Sequence, residues 1–149
     1  MLNAGDIMTT QVITVKEETP LKVLARIFYE NHISGVPVVD DEGSLKGVIC
    51  ESDLIQKDKK LHIPTVVALF DAVFYLESSK NIEKEIKVIS ATTVGDLFTR
   101  EVVTVDEKTP IDEIATIMTQ KKIYTIPVMD GERLVGIVGK GDVIRTFIS

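Results

Sequence analysis

The feature that most constrains this chain is that it is written twice. Residues 5–40 laid over residues 95–130 without a gap give 15 identities in 36 positions, among them Gly5/Gly95, Asp6/Asp96, Thr14/Thr104, Thr19-Pro20/Thr109-Pro110, Pro37-Val38/Pro127-Val128 and Asp40/Asp130. After a one-residue deletion in the polar stretch 41–44, the match resumes with Leu45/Leu134, Gly47/Gly136, Asp53/Asp142 and Ile55/Ile144. A turn tolerates that length change. Two copies 90 residues apart are too few and too widely spaced for a solenoid. The pattern therefore predicts two homologous halves related by an approximate two-fold axis.

Each half reads as β-α-β-β-α. A short strand over 12–15 or 102–105 runs into a helix announced by Thr19-Pro20 or Thr109-Pro110, with Thr as N-cap and Pro at the first helical position. Apolar residues then fall at Leu21, Leu24, Ala25 and Phe28, and at Ile111, Ile114, Ala115 and Met118, the stripe of a helix packed on one side. The β-branched runs 33–39 and 123–129 each contain one Pro and predict an edge strand or a strand that begins there. Return strands over 45–50 and 134–138 close a hairpin, and each leads into a second helix with an acid, Asp53 or Asp142, in its first turn. Asp40 and Asp130 stand at the hairpin turns, where Asp bonds its own backbone.

The order of elements, the Val-Pro-Val-Val-Asp stretch and the two segments Gly47-Val48-Ile49 to Asp53-Leu54 and Gly136-Ile137-Val138 to Asp142-Val143 resemble the CBS repeat, named after cystathionine β-synthase. Two copies resemble one Bateman module of the stand-alone bacterial type. The resemblance implies an α+β fold in which two repeats pack through their sheets about a pseudo-two-fold axis, with clefts that take up AMP, ATP or S-adenosylmethionine in many members. The division it implies is repeat 1 over 1–56, a helical insert over 57–93 and repeat 2 over 94–149.

The same resemblance implies the site. Asp53 and Asp142 match the ribose-binding carboxylate, and an acid in a first turn also complements the helix dipole, which is the structural alternative for both. Ser34, Gly35, Val36 and Pro37, with Tyr124, Thr125, Ile126 and Pro127, match the stretch that receives the base. Tyr124 could stack on a purine or belong to the core. Thr14 and Thr104 match a hydroxyl near the ligand, or are β-favouring residues at a strand position. The family's Ser or Thr three residues before the Asp is replaced here by Cys50 and Gly139. Glu51 adds an acid beside the first of these, whereas Gly139-Lys140-Gly141 brings an ammonium between two glycines, so the cleft with Asp142 is favoured for a short phosphate chain. The Gly-Lys-Gly stretch lacks the frame of a phosphate-binding loop.

The insert carries an apolar stretch over 65–76, with Phe70, Phe74 and Tyr75, that covers most of a helix circumference and predicts burial, either as a cap on the module's own core or, as the resemblance to CBS pairs implies, against a second copy in a homodimer. A net charge of −6 offers no footprint for nucleic acid, and no apolar run approaches the roughly 20 residues of a membrane span. The one cysteine fits a reducing, cytoplasmic setting. Cys50, His32 and His62 share no ligand spacing, which leaves a zinc or redox sensor as a minor reading, and no catalytic cluster can be assembled from them. The resulting expectation is a non-enzymatic sensor of an adenosine ligand acting on a target protein, against the alternative of a structural dimerisation module whose clefts have decayed.

Overall fold

The computed structural model describes residues 1–54 and 92–148, so the apolar segment expected to be helical over 65–76, and His62, lie outside the described residues. The first half comprises α1 (Ala4–Ile7), α2 (Leu21–Asn31), β1 (Gly35–Val39), β2 (Leu45–Cys50) and α3 (Glu51–Leu54). The second comprises a 3-10 turn (Val94–Asp96), β3 (Val105–Asp106), α4 (Ile111–Lys121), β4 (Thr125–Asp130), β5 (Arg133–Gly139) and α5 (Lys140–Arg145). The two antiparallel hairpins follow the repeat, with Val38 facing Gly47 and Val128 facing Gly136, and each ladder slips at the next pair. The helix stripes pack as their spacing predicts: Leu21, Leu24, Ala25 and Phe28 are buried on α2, as are Ile114 and Met118 on α4.

The first strand of each half is shorter than expected. Val15 makes a single parallel bridge to Val38, and β3 contributes two residues beside Val128 and Met129. Among the described residues, most of one side of β1 and β4 therefore has no strand partner. Val15 N–H donates to the Pro37 carbonyl, so the polar groups of Pro37 point to that sparse side, where a missing N–H breaks no ladder.

The helix starts are also built differently from the expected Thr cap. Pro20 and Pro110 themselves occupy the cap position in extended conformation, and Thr19 and Thr109 instead turn back to accept from the backbone N–H of Lys16 and Asp106. The helix-end N–H groups that lack a partner within the helix are satisfied across the molecule: Leu21 N–H donates to the Thr92 carbonyl, and Ile111 N–H to that of Leu2.

Those cross-bonds reveal an exchange of leading segments. The first residues of the chain pack on the second repeat, with Ala4 N–H donating to Thr109, Gly5 N–H to Glu107, and Thr9 bridging Ile137. Reciprocally, Val94 N–H donates to Thr19, Gly95 N–H to Glu17, and Thr99 bridges Val48. The cores follow suit: Val94, Leu97 and Phe98 complete the core around α2, and Ala4, Ile7 and Met8 that around α4. Each hydrophobic core therefore contains residues from both halves of the chain. Gly47 and Gly136 make the exchange possible, because a Cβ at Gly47 would collide with the Thr99 carbonyl and the Phe98 ring, and one at Gly136 with the Met8 side chain.

Candidate functional site

Two clefts open between the repeats, one around each first-turn aspartate. Asp53 and Asp142 are the buried charged side chains among the described residues. Each reaches back one turn: Cys50 N–H donates to Asp53 Oδ2 at 2.7 Å, and Gly139 N–H to Asp142 Oδ2 at 2.8 Å. The helix entry is pinned further by Glu51 N–H on the Ser34 carbonyl and Lys140 N–H on that of Tyr124. Each aspartate is thus held in the first turn of its helix by a backbone donor from the residue that precedes that turn.

The second carboxylate oxygens differ. Asp53 Oδ1 accepts from the Thr99 hydroxyl at 3.0 Å, a residue delivered by the exchanged segment, whereas Asp142 Oδ1 accepts from the Arg145 guanidinium at 2.9 Å. The cleft around Asp142, about 450 Å³, is lined by Thr9, Gln11 and Ile13, by residues 31–36, and by Tyr124, Thr125, Ile137, Lys140 and Arg145. That around Asp53, about 520 Å³, is lined by Thr99, Glu101 and residues 102–103, by Lys122 to Thr125, and by Cys50, Glu51, Ser52 and Lys140. Both volumes lie in the range of small-molecule sites.

The expected residues are distributed between them. Ser34, Tyr124, Thr125 and Lys140 line both clefts, and Gly35 and Val36 line only that of Asp142. Pro37, Ile126 and Pro127 are buried and line neither. Thr14 and Thr104, expected near the ligand, are exposed and outside both; Thr104 therefore does not share a cleft with Asp142. In the first segment alternation along extended chain is the reason, since Thr9, Gln11 and Ile13 line the Asp142 cleft and the residues between them do not; in the second, Thr99 and residues 101–103 line the Asp53 cleft and Thr104 lies just beyond them. Thr9, Thr99 and Arg145 were not anticipated. The first two were visible as a repeated identity, and the pairs Asn3/Asp6 and Thr93/Asp96 that cap the short turns beside them carry a capping-box signature.

Cys50 forms part of the floor of the Asp53 cleft. Burial first, and then the Asp53 charge, push its thiol up from 9.0 to about 11, against the opposing pull of a hydrogen bond with Thr125. It is a protonated, weakly nucleophilic group at neutral pH. The described residues hold no cluster of three His, Cys, Asp or Glu side chains able to bind a metal, and no helix among them is long and apolar enough to cross a membrane.

Two repeats that exchange leading segments and enclose two aspartate-bearing clefts define a paired-repeat fold. The CBS domain model matches residues 4–60 and 94–149, and the chain belongs to that family as a tandem pair. An uncharacterized protein of Methanocaldococcus jannaschii is 33% identical over 96% of this chain and 89% of its own length. The chloroplastic CBS domain-containing protein CBSX1 of Arabidopsis thaliana is 31% identical over 97% of this chain, which spans 63% of that relative. Among solved structures, CBSX2 in complex with AMP aligns with a TM-score of 0.70 and 26% identity over 99% of this chain and 97% of its own. The CBS domain pair of protein MJ0100, in complex with 5′-methylthioadenosine and S-adenosyl-L-methionine, aligns with a TM-score of 0.70 and 26% identity over 99% of this chain and 96% of its own.

Proposed function

We propose that the chain is a non-enzymatic regulatory module that binds an adenosine-containing ligand such as AMP, ATP or S-adenosylmethionine, with a short-chain nucleotide favoured in the Asp142 cleft. The observation that carries this reading is one cleft holding a carboxylate at a helix N-terminus, two cations, Lys140 and Arg145, and an apolar wall of Ile13, Ile33, Val36 and Ile137. A vicinal diol can donate two hydrogen bonds to Asp142, the apolar wall can sandwich a base, and the cations can take a phosphate. The relatives crystallised with AMP, 5′-methylthioadenosine and S-adenosylmethionine support the ligand class. The ligand would act by favouring one angle between the repeats, which meet where Gly35 abuts Thr125, and it can do so only by binding the two arrangements unequally.

One observation favours the alternative, a structural module with unused clefts: both aspartates are already hydrogen-bonded within the chain. Thermal unfolding separates the two. AMP at about 100 times its dissociation constant should add about 2.7 kcal/mol, a rise of about 5–11 °C for a chain of this size. No shift with millimolar AMP, ATP or S-adenosylmethionine would establish the structural module. The apolar segment over 65–76 supports a homodimer and the single cysteine a reducing, cytoplasmic setting, and the module would act on a target protein still to be identified; a monomer by light scattering at tens of micromolar chain would refute the dimer.

A further inference from the structure

Lys140 stands on the wall between the clefts and lines both. It is exposed, its ammonium lies 5.1 Å from the centroid of the Tyr124 ring, and among the described residues no carboxylate is within ion-pair distance of it. The flexible four-carbon stem lets such a group turn to either side, with the aromatic face as its resting place. The two sides are unequal in charge. Among the described residues around Asp142, a single carboxylate faces Lys140 and Arg145, and Arg145 is already paired with it, so Lys140 is the surplus positive charge there. Among the described residues around Asp53, three carboxylates, Glu51, Asp53 and Glu101, face Lys122 and Lys140, and the surplus is negative even with Lys140 present.

We infer that Lys140 is a phosphate ligand shared by the two clefts, so that a phosphorylated ligand beside Asp142 captures it and leaves the Asp53 cleft selective for an adenosine compound without negative charge. This rests on the adenosine reading above. The first phosphate gains an ammonium contact. A second anion must then enter a cleft where three carboxylates face one remaining lysine, and a charge-assisted contact withheld in this way is worth about tenfold or more in affinity. The clefts are therefore antagonistic for two nucleotides and compatible for a nucleotide and a nucleoside, with no change of fold required.

Calorimetric titration of the whole chain tests this with AMP and with 5′-methylthioadenosine, which carries no phosphate. AMP should fill one site per chain, with a second site at least tenfold weaker. 5′-Methylthioadenosine should bind the AMP-loaded protein within about threefold of its affinity for the free protein. Lys140→Met should weaken the first AMP by tenfold or more while changing 5′-methylthioadenosine by less than threefold. Glu51→Gln with Glu101→Gln should strengthen the second AMP about tenfold. Two equal AMP sites, or a Lys140→Met variant with unaltered AMP affinity, would overturn the shared lysine while leaving the adenosine reading intact. Failure of both compounds to bind would instead remove the adenosine reading, and this inference with it.

Discussion

Replacing Asp142 separates its structural task from its proposed ligand task, provided the right substitution is used. Asp142→Ala is a poor probe, because it strands the Gly139 N–H that the carboxylate holds at 2.8 Å, and loss of such a cap costs about 0.5–2 kcal/mol. Asp142→Asn keeps an acceptor for that N–H. What it loses in the free protein is the ion pair with Arg145, whose side chain is 68% exposed, so less than about 1 kcal/mol is at stake. The ligand-free melting point should fall by no more than about 2–4 °C. The ligand loses more. Two diol hydrogen bonds to a carboxylate become neutral ones, at about 1.4 kcal/mol each, which is about a hundredfold in affinity. Ligand at 100 times the wild-type dissociation constant then only equals that of the variant, and the stabilisation drops from about 2.7 to about 0.4 kcal/mol. A shift of about 5–11 °C should shrink to about 1–2 °C. An Asn variant that retains the full AMP shift would refute the assignment of Asp142 to the ribose. If Asp53→Asn abolishes the shift instead, the order of the two clefts is reversed.

The exchange of leading segments predicts unequal costs at two equivalent glycines. Gly47→Ala forces a methyl against a backbone carbonyl and puts at risk the paired Val48–Thr99 hydrogen bonds, so it should cost about 3 kcal/mol, a fall of about 6–12 °C. Gly136→Ala meets the flexible Met8 side chain and should cost less than half as much; equal melting points for the two variants would show that Met8 cannot yield. For Cys50, alkylation of the folded chain should keep accelerating through pH 9 and level off only near pH 11, and a plateau below pH 9 would refute a buried, protonated thiol. Because folding raises this pKa, its contribution to stability is complete below about pH 9 and is lost as pH climbs toward 11. Wild-type protein should therefore lose melting temperature over that window faster than Cys50→Ala.

The repeat by itself determined two equivalent halves, the helix stripes from Leu21 to Phe28 and from Ile111 to Met118, both hairpins, and the two aspartates that head the second helices. These are local or near-local features, in which side-chain period and turn chemistry act within some twenty residues. Asp40 shows how direct the reading can be: its carboxylate accepts from Glu42 and Ser44 N–H in the turn, and these bonds hold its pKa below the ordinary value. What tertiary structure alone decided is which half each leading segment serves. The sequence of residues 3–9 is equally compatible with packing on its own repeat or on the other, because the two repeats offer near-identical surfaces. In the folded chain Gly47 and Gly136 admit the segment from the opposite half, and the helix-end N–H groups of Leu21 and Ile111 donate to carbonyls of that segment. That choice puts Thr99 on Asp53 and Thr9 in the cleft of Asp142, turns Thr14 and Thr104 outward, and sets Lys140 between the clefts. The bonds that place Thr99 on Asp53 and Thr9 beside Ile137 join residues 46 and more positions apart, so spacing along the chain does not disclose them.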